Sequence, residues 1–187
     1  MIVLISALFF IYVGTENSFG QWVATYAHRL APNEASRWTM MPAVFYGAML
    51  LGRSLAPIVL KFMQETKVAQ VGLALAVVGG ISLLRAHGLV LIAVGSLCAG
   101  LGLASIFPIS VSLLPSWFCE RASRASGPVF ASGNLGGAVL PWLVGLTSTY
   151  AASLRVAFLV PLIGAVLMLT FYAINKTSSR TVVVAAP

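Results

Sequence analysis

Six long apolar stretches, at 2–26, 39–63, 68–84, 89–115, 125–150 and 156–174, dominate the sequence. Short polar breaks separate them, among them HRLAPNEASR (28–37), QETK (64–67), RAHG (85–88) and CERASR (119–124). A helix of about 20 mostly apolar residues crosses the hydrocarbon core of a bilayer, so each stretch reads as one transmembrane span. With breaks this short, consecutive spans form helical hairpins. A transmembrane β-barrel would need segments of roughly ten residues with alternating polarity, and the sequence has none. The expected fold class is all-α integral membrane. Composition agrees: 59% of residues are hydrophobic, 8% are charged and mean hydropathy is +0.98, whereas soluble domains carry about 25% charged residues. The first stretch is not read as a cleaved signal peptide, because the hydrophobicity recurs along the chain and no basic segment precedes it.

The net charge of +7 is scattered over loops and tail rather than gathered beside aromatics, so nucleic acid is excluded as a partner and the lipid bilayer is the expected one. If the chain starts in the cytoplasm, Lys61, Lys67, Arg121, Arg124, Lys176 and Arg180 lie inside, against Arg29, Arg37, Arg85 and Arg155 outside. That bias predicts both termini on the cytoplasmic side of a plasma (inner) membrane. Residues 1–176 are expected to form the bundle, and 177–187 a disordered, polar and β-rich cytoplasmic tail. Cys98 and Cys119 form no disulfide framework, and His28 and His87 have no carboxylate at metal-site spacing. No metal or other cofactor is expected.

The six spans fall into two triplets. Two units with an odd number of spans must be oppositely oriented, which is the arithmetic of inverted repeats and is shared by many six-span proteins. Small residues mark close helix contacts: Ser96, Gly100 and Ala104 in the fourth span, and the GxxxG pair Gly133 and Gly137 in the fifth. Pro108 and Pro141 lie inside spans, where each removes a backbone hydrogen bond and favours a bend.

Glu16, Asn17 and Gln21 interrupt the first span. On a projection at 100° per residue they share one arc with Val13, Gly20 and Ala24, and Tyr12, Phe19 and Tyr26 flank it. Amide and carboxylate groups beside aromatic surface suit a sugar or polyol. The same groups could equally fix one helix to another, with Arg53 as the ion partner of Glu16. An ionisable side chain at membrane depth costs at least about 2.5 kcal/mol, so it faces a cavity or a partner. Trp22 and Tyr26 approach a span end, where aromatic residues also serve as interface anchors. Glu34, Glu65 and Glu120 fall in loops, leaving Glu16 as the carboxylate within a span and the candidate for proton coupling.

These motifs resemble the major facilitator superfamily, and within it the fucose permease-like sugar:proton symporters. YVGTENSFGQWVATY (12–26) is similar to that family's seventh helix, FYGAMLLGRSLAPIVLKF (45–62) to the eighth, GLGLASIFPISVSLLP (100–115) to the tenth and GPVFASGNLGGAVLPWLVGLTS (127–148) to the eleventh. Lys67 and Val68 match the start of the ninth. The resemblance implies half of a twelve-helix transporter, in which two six-helix bundles rock around a central site; the N-terminal bundle would be its partner. It implies substrate contacts at Glu16, Asn17, Gln21 and Tyr12, with Phe107, Ser112, Ser132 and Asn134 as further candidates. Arg53, Pro108, Gly133, Gly137 and Pro141 would serve gating or packing. One departure is Glu16, where the fucose permease type carries glutamine, so a glucose-type or other solute is as open as fucose. Export of a drug or metabolite, and a non-transporting half-length membrane subunit, are the rival readings. An enzyme ranks below them, because the spans offer no convergent nucleophile, base or metal set.

Overall fold

The computed structural model describes residues 2–118 and 122–174, with side chains described at 2–112 and 126–174. The predicted tail at 177–187, Lys176, and the loop residues Cys119, Glu120 and Arg121 lie outside the described residues. The elements are α1 (Ile2–Leu30), α2 (Ala35–Trp38), α3 (Met41–Val59), α4 (Glu65–Leu84), α5 (Leu89–Ala104), α6 (Ile106–Phe118), α7 (Ala122–Tyr150), α8 (Leu154–Ala157) and α9 (Leu159–Ile174). Among the described residues, six helical stretches are long and apolar enough to cross a membrane: Ile2–Leu30, Ala35–Val59, Glu65–Leu84, Leu89–Ser112, Ser126–Tyr150 and Leu154–Ile174. The chain is a multi-pass, all-α membrane protein.

Helix ends depart from the apolar runs for local reasons. α1 continues through the polar start of the first break to Leu30, where Arg29 reaches across to the Ser148 hydroxyl at 3.3 Å. The fourth span breaks at Ser105, between α5 and α6. Pro108 lies three residues on and has no N–H to offer the Ala104 carbonyl, so the ladder is interrupted one turn upstream of the ring. Pro161 acts in the same way on Ala157, and the sixth span breaks at Phe158 between α8 and α9. Pro141 sits within α7 without ending it.

Contacts between spans follow a simple rule. The first span packs most extensively on the fifth (α1 on α7), the second on the fourth (α3 on α5), and the third on the fourth (α4 on α5). The third also packs on the sixth (α4 on α9), and the first on the sixth (α1 on α9). Exchanging each span with the one three places along maps this set onto itself: first–fifth becomes fourth–second, third–fourth becomes sixth–first, and third–sixth returns to itself. That pairing is what two interlocked three-span repeats produce.

In lipid no hydrophobic force separates helix from tail, so helices associate through close packing and interhelical hydrogen bonds. α1 and α7 run parallel and show both. From one end to the other, the Ser132 hydroxyl donates to the Ser6 carbonyl at 2.8 Å, Asn17 Nδ2 to the Gly137 carbonyl at 3.4 Å, and Trp22 Nε1 to the Pro141 carbonyl at 2.9 Å. Between these rungs the backbones nearly touch: a Cβ on Gly14 would lie 2.7 Å from the Gly136 carbonyl oxygen, and a Cβ on Gly136 would lie 2.7 Å from the Phe10 carbonyl carbon. Gly133 and Gly137 of the GxxxG pair lie on the same interface, against Val13 and Asn17. Of the small residues in α5, Gly100 meets the Phe45 carbonyl and Ala104 meets Gly52, both on α3.

The core between these pairs is aromatic and aliphatic. Phe19, Phe45, Phe158, Leu73, Leu83 and Ile92 are fully buried. Phe19 packs against Phe45 and Phe158 with ring centroids 6.3 and 6.1 Å apart. The Tyr26 hydroxyl donates to the Leu83 carbonyl at 3.0 Å. Both rings therefore belong to the core, and neither offers aromatic surface to a solute or an interface anchor. Helical projection sets the angle of a residue but not which neighbour covers that angle, and here α3, α4 and α9 cover it.

Candidate functional site

Glu16 projects from the middle of α1 and Arg53 from the far half of α3. Arg53 Nη2 lies 3.4 Å from Glu16 Oε2 and donates to the Tyr12 hydroxyl at 3.2 Å. The Tyr12 phenol also faces the Glu16 carboxylate. The Arg53 carbon Cζ stands 6.0 Å from the centre of the Phe107 ring of α6, within cation–π range. The four groups therefore bring three spans together. They line an open cleft of about 320 Å³ with Phe9, Val13, Phe130, Gly133 and Asn134. The Glu16 side chain is 17% exposed and that of Arg53 43%, so the carboxylate is the inner member of the pair and the guanidinium its outer one. Apart from these contacts, the Nη1 and Nε donors of Arg53 have no hydrogen-bond partner among the described residues.

Phe9, Phe107 and Phe130 form the apolar wall at centroid distances from 5.7 to 6.3 Å, with Phe9 edge-on to the other two rings and Phe107 tilted at 45° to Phe130. Tyr12 lies 6.2 Å from Phe107 and is itself buried, with its hydroxyl directed to the charged pair. The cleft thus has an apolar wall and one ion pair, with the exposed Asn134 amide at its rim.

Of the residues singled out in the sequence, Tyr12, Glu16, Phe107, Asn134 and Gly133 meet in this cleft. Arg53 joins them, which the sequence offered as one of two readings for it. Gln21 lines a second open cleft of about 430 Å³ with Trp22, Thr25, Gly137, Ala138, Pro141 and Trp142. The arc of Glu16, Asn17 and Gln21 is therefore divided between two recesses, and the Asn17 amide lies between them, bonded to the Gly137 carbonyl of α7. Gly20, within the same arc, is buried under the Tyr46 ring of α3. The Ser132 hydroxyl serves the α1–α7 contact and the local Val129 carbonyl, and that of Ser112 bonds the Ile109 carbonyl of its own helix. Neither lines the Glu16 cleft. Phe9 and Phe130 were missed because each is one more apolar residue in an apolar span; their only signal was a helical offset from Val13 and Asn134.

Among the described residues no group of three or more His, Cys, Asp or Glu side chains could hold a metal ion. Among the described residues the charged groups lying well inside the spans are Glu16 and Arg53, and together they are neutral. Such a pair is held in the membrane at lower cost than either charge alone, and it is exposed to whatever fills the cleft.

No family model matches the chain. The chain is similar to the "Probable nitrate transporter NarT" of Staphylococcus epidermidis, 30% identical over 105 residues, which cover 54% of this chain and 26% of that relative. The matched stretch thus spans about a quarter of that protein's length.

Proposed function

We propose that this chain is one six-helix half of a major facilitator-type secondary transporter, which moves a small polar solute across the membrane by alternating access. The carrying observation is the Glu16–Arg53 pair with Tyr12, set in an open cleft lined by several spans. A charged pair facing lipid would be costly, whereas one facing a second bundle would line a solute pathway. The interlocked pairing of the two triplets supports the same reading, as does similarity to a protein named as a transporter. A second bundle, the N-terminal half, would supply the other wall of the site. On this reading the protein resides in the plasma (inner) membrane with cytoplasmic termini, and its work is binding and conformational exchange rather than chemistry on the solute.

Two solute classes have support. The resemblance to sugar symporters and the cleft's aromatic wall favour a sugar; the name of the similar protein favours nitrate. Tyr12, Glu16, Phe107 and Asn134 would contact solute in this cleft, and Gln21 would do so from the second. Asn17, Ser112 and Ser132 stay as outer candidates, with their polar groups already bonded within the bundle. Glu16 is the coupling group if protons drive uptake.

The test is to join this chain to a six-helix N-terminal half in liposomes and follow labelled hexose and labelled nitrate under an imposed proton gradient. Saturable uptake of either, abolished by Arg53→Ala or Glu16→Ala, is the expected result. A stably paired, folded assembly that carries no solute in either direction would overturn the proposal in favour of a non-transporting subunit.

A further inference from the structure

Resting on that reading, we infer that the Glu16–Arg53 cleft takes a small monoanion, an oxyanion or short carboxylate, together with one proton, with Glu16 acting as a tethered stand-in for the anion when the site is empty. Three observations carry this. Arg53 is an outward-facing cation with two donor nitrogens free of partners among the described residues, so it has capacity for a planar, two-oxygen acceptor. The anion it now holds belongs to the protein, and the contact is long, at 3.4 Å, beyond the 2.7–2.9 Å of a well-formed charged hydrogen bond. The cleft of about 320 Å³ beside the guanidinium is walled by Phe9, Phe107 and Phe130, which leave room for a small ion without adding charge.

Charge balance then sets the stoichiometry. Arg53 and Glu16 sum to zero; an anion entering beside them leaves this cleft within the spans at minus one, which membrane depth disfavours. A proton taken up on a Glu16 oxygen restores neutrality and releases Arg53 to the incoming anion. The titratable and charged groups facing Glu16 are few: Tyr12 on its own helix, and Tyr46 and Arg53 on α3. From α6 and α7 the cleft is met by Phe107, Phe130, Gly133 and Asn134, none of them ionisable. One proton per anion, placed on Glu16, follows. A neutral sugar would need no such exchange.

The experiment is calorimetric titration of the purified full chain in lipid nanodiscs with nitrate, formate and glucose as probes. Each titration is repeated in buffers of different ionisation heat, so that protons taken up are counted. The expected result is that nitrate or formate binds with close to one proton taken up, and that affinity weakens about tenfold per pH unit once Glu16 is ionised in the empty protein. Glu16→Gln should bind the same anions with no proton uptake and no such pH slope. Arg53→Met should weaken anion binding at least tenfold, whereas Arg53→Lys, which keeps the cation, should bind with the proton still taken up. Anion binding without proton uptake by the unaltered chain, anion binding undiminished in Arg53→Met, or binding of glucose but neither anion would each overturn the inference. The transport reading fails on a different result. If anion and proton bind as expected but the joined halves carry neither across liposomes, the site assignment stands and the transporter assignment falls.

Discussion

Replacing Gly136 by alanine tests whether α1 and α7 are held at backbone contact. A Cβ at Gly136 would lie 2.7 Å from the Phe10 carbonyl carbon and 2.8 Å from its Cα, closer still to the carbonyl oxygen, while ordinary contact begins at 3.4 Å. The carbonyl carbon alone requires the helices to part by about 0.7 Å and the carbonyl oxygen requires more, and because the obstacle is backbone, no side-chain rotation relieves it. Overpacking of this kind costs about 1–3 kcal/mol. Alanine returns up to about 1 kcal/mol through its better helix propensity. The net expectation is a destabilisation of about 1–2 kcal/mol, together with loss of the already long Asn17–Gly137 bond at 3.4 Å. Folded fraction during titration of mixed micelles with a denaturing detergent would measure it, and Trp22 emission would report strain on its bond to Pro141. Gly47→Ala is the control, since a Cβ there meets nothing within 4 Å; it should be neutral or stabilising. A Gly136→Ala protein as stable as Gly47→Ala would refute the close approach.

Four further substitutions read other features of the fold by the same detergent titration. Thr15 Oγ1 is buried without a hydrogen-bond partner, so the isosteric Thr15→Val should stabilise the bundle by about 1 kcal/mol. Ala152 has φ 49° in the turn between the fifth and sixth spans, and Ala152→Gly should gain about 1 kcal/mol by relieving left-handed strain. A double-mutant cycle with Glu16→Gln and Arg53→Met should give a coupling of about 1 kcal/mol or less, because the pair is partly exposed and long; zero coupling would show that the two groups do not interact.

The spans were legible because each is decided locally, by a run of apolar residues long enough for a bilayer. Their ends were less so. α1 passes Tyr26 and reaches Leu30 because Arg29 finds Ser148 on another span, and no reading of 28–37 alone contains that partner. The break at Ser105 lies a turn before the proline that causes it, so Pro108 marks the bend but not its position. Within the site, Glu16 stood out as a carboxylate in an apolar run. Its neighbours did not, because membership of a cleft depends on the helix opposite. Phe19 and Tyr26 share the flank of the Glu16 arc with Tyr12, yet α3, α4 and α9 bury them while Tyr12 meets Arg53. Gly136 was passed over for the same reason: the GxxxG spacing pointed to Gly133 and Gly137, but the tightest backbone approach falls on the residue between them.

The exchange rule that relates the two triplets also accounts for where the cleft lies. Besides the antiparallel contact of third with fourth, which glycines also close, the tight pairs are first with fifth and second with fourth, each parallel and closed by glycine against backbone. Those four spans form a set that the exchange maps onto itself, while the third and sixth spans pair with each other and contribute no residue to the cleft. The Glu16 cleft therefore sits on the seam between two rigid pairs. Across that seam α1 meets α3, and α6 meets α7, through much sparser contact. The polar links from α1 to α3 are the ones Arg53 makes to Glu16 and Tyr12. A ligand that replaces Glu16 on Arg53 thereby removes one of these links while leaving both glycine-closed pairs intact. Binding can then alter how one pair sits on the other without disturbing either, and the energy available for that change is the difference between what Arg53 gains from the ligand and what it loses from Glu16.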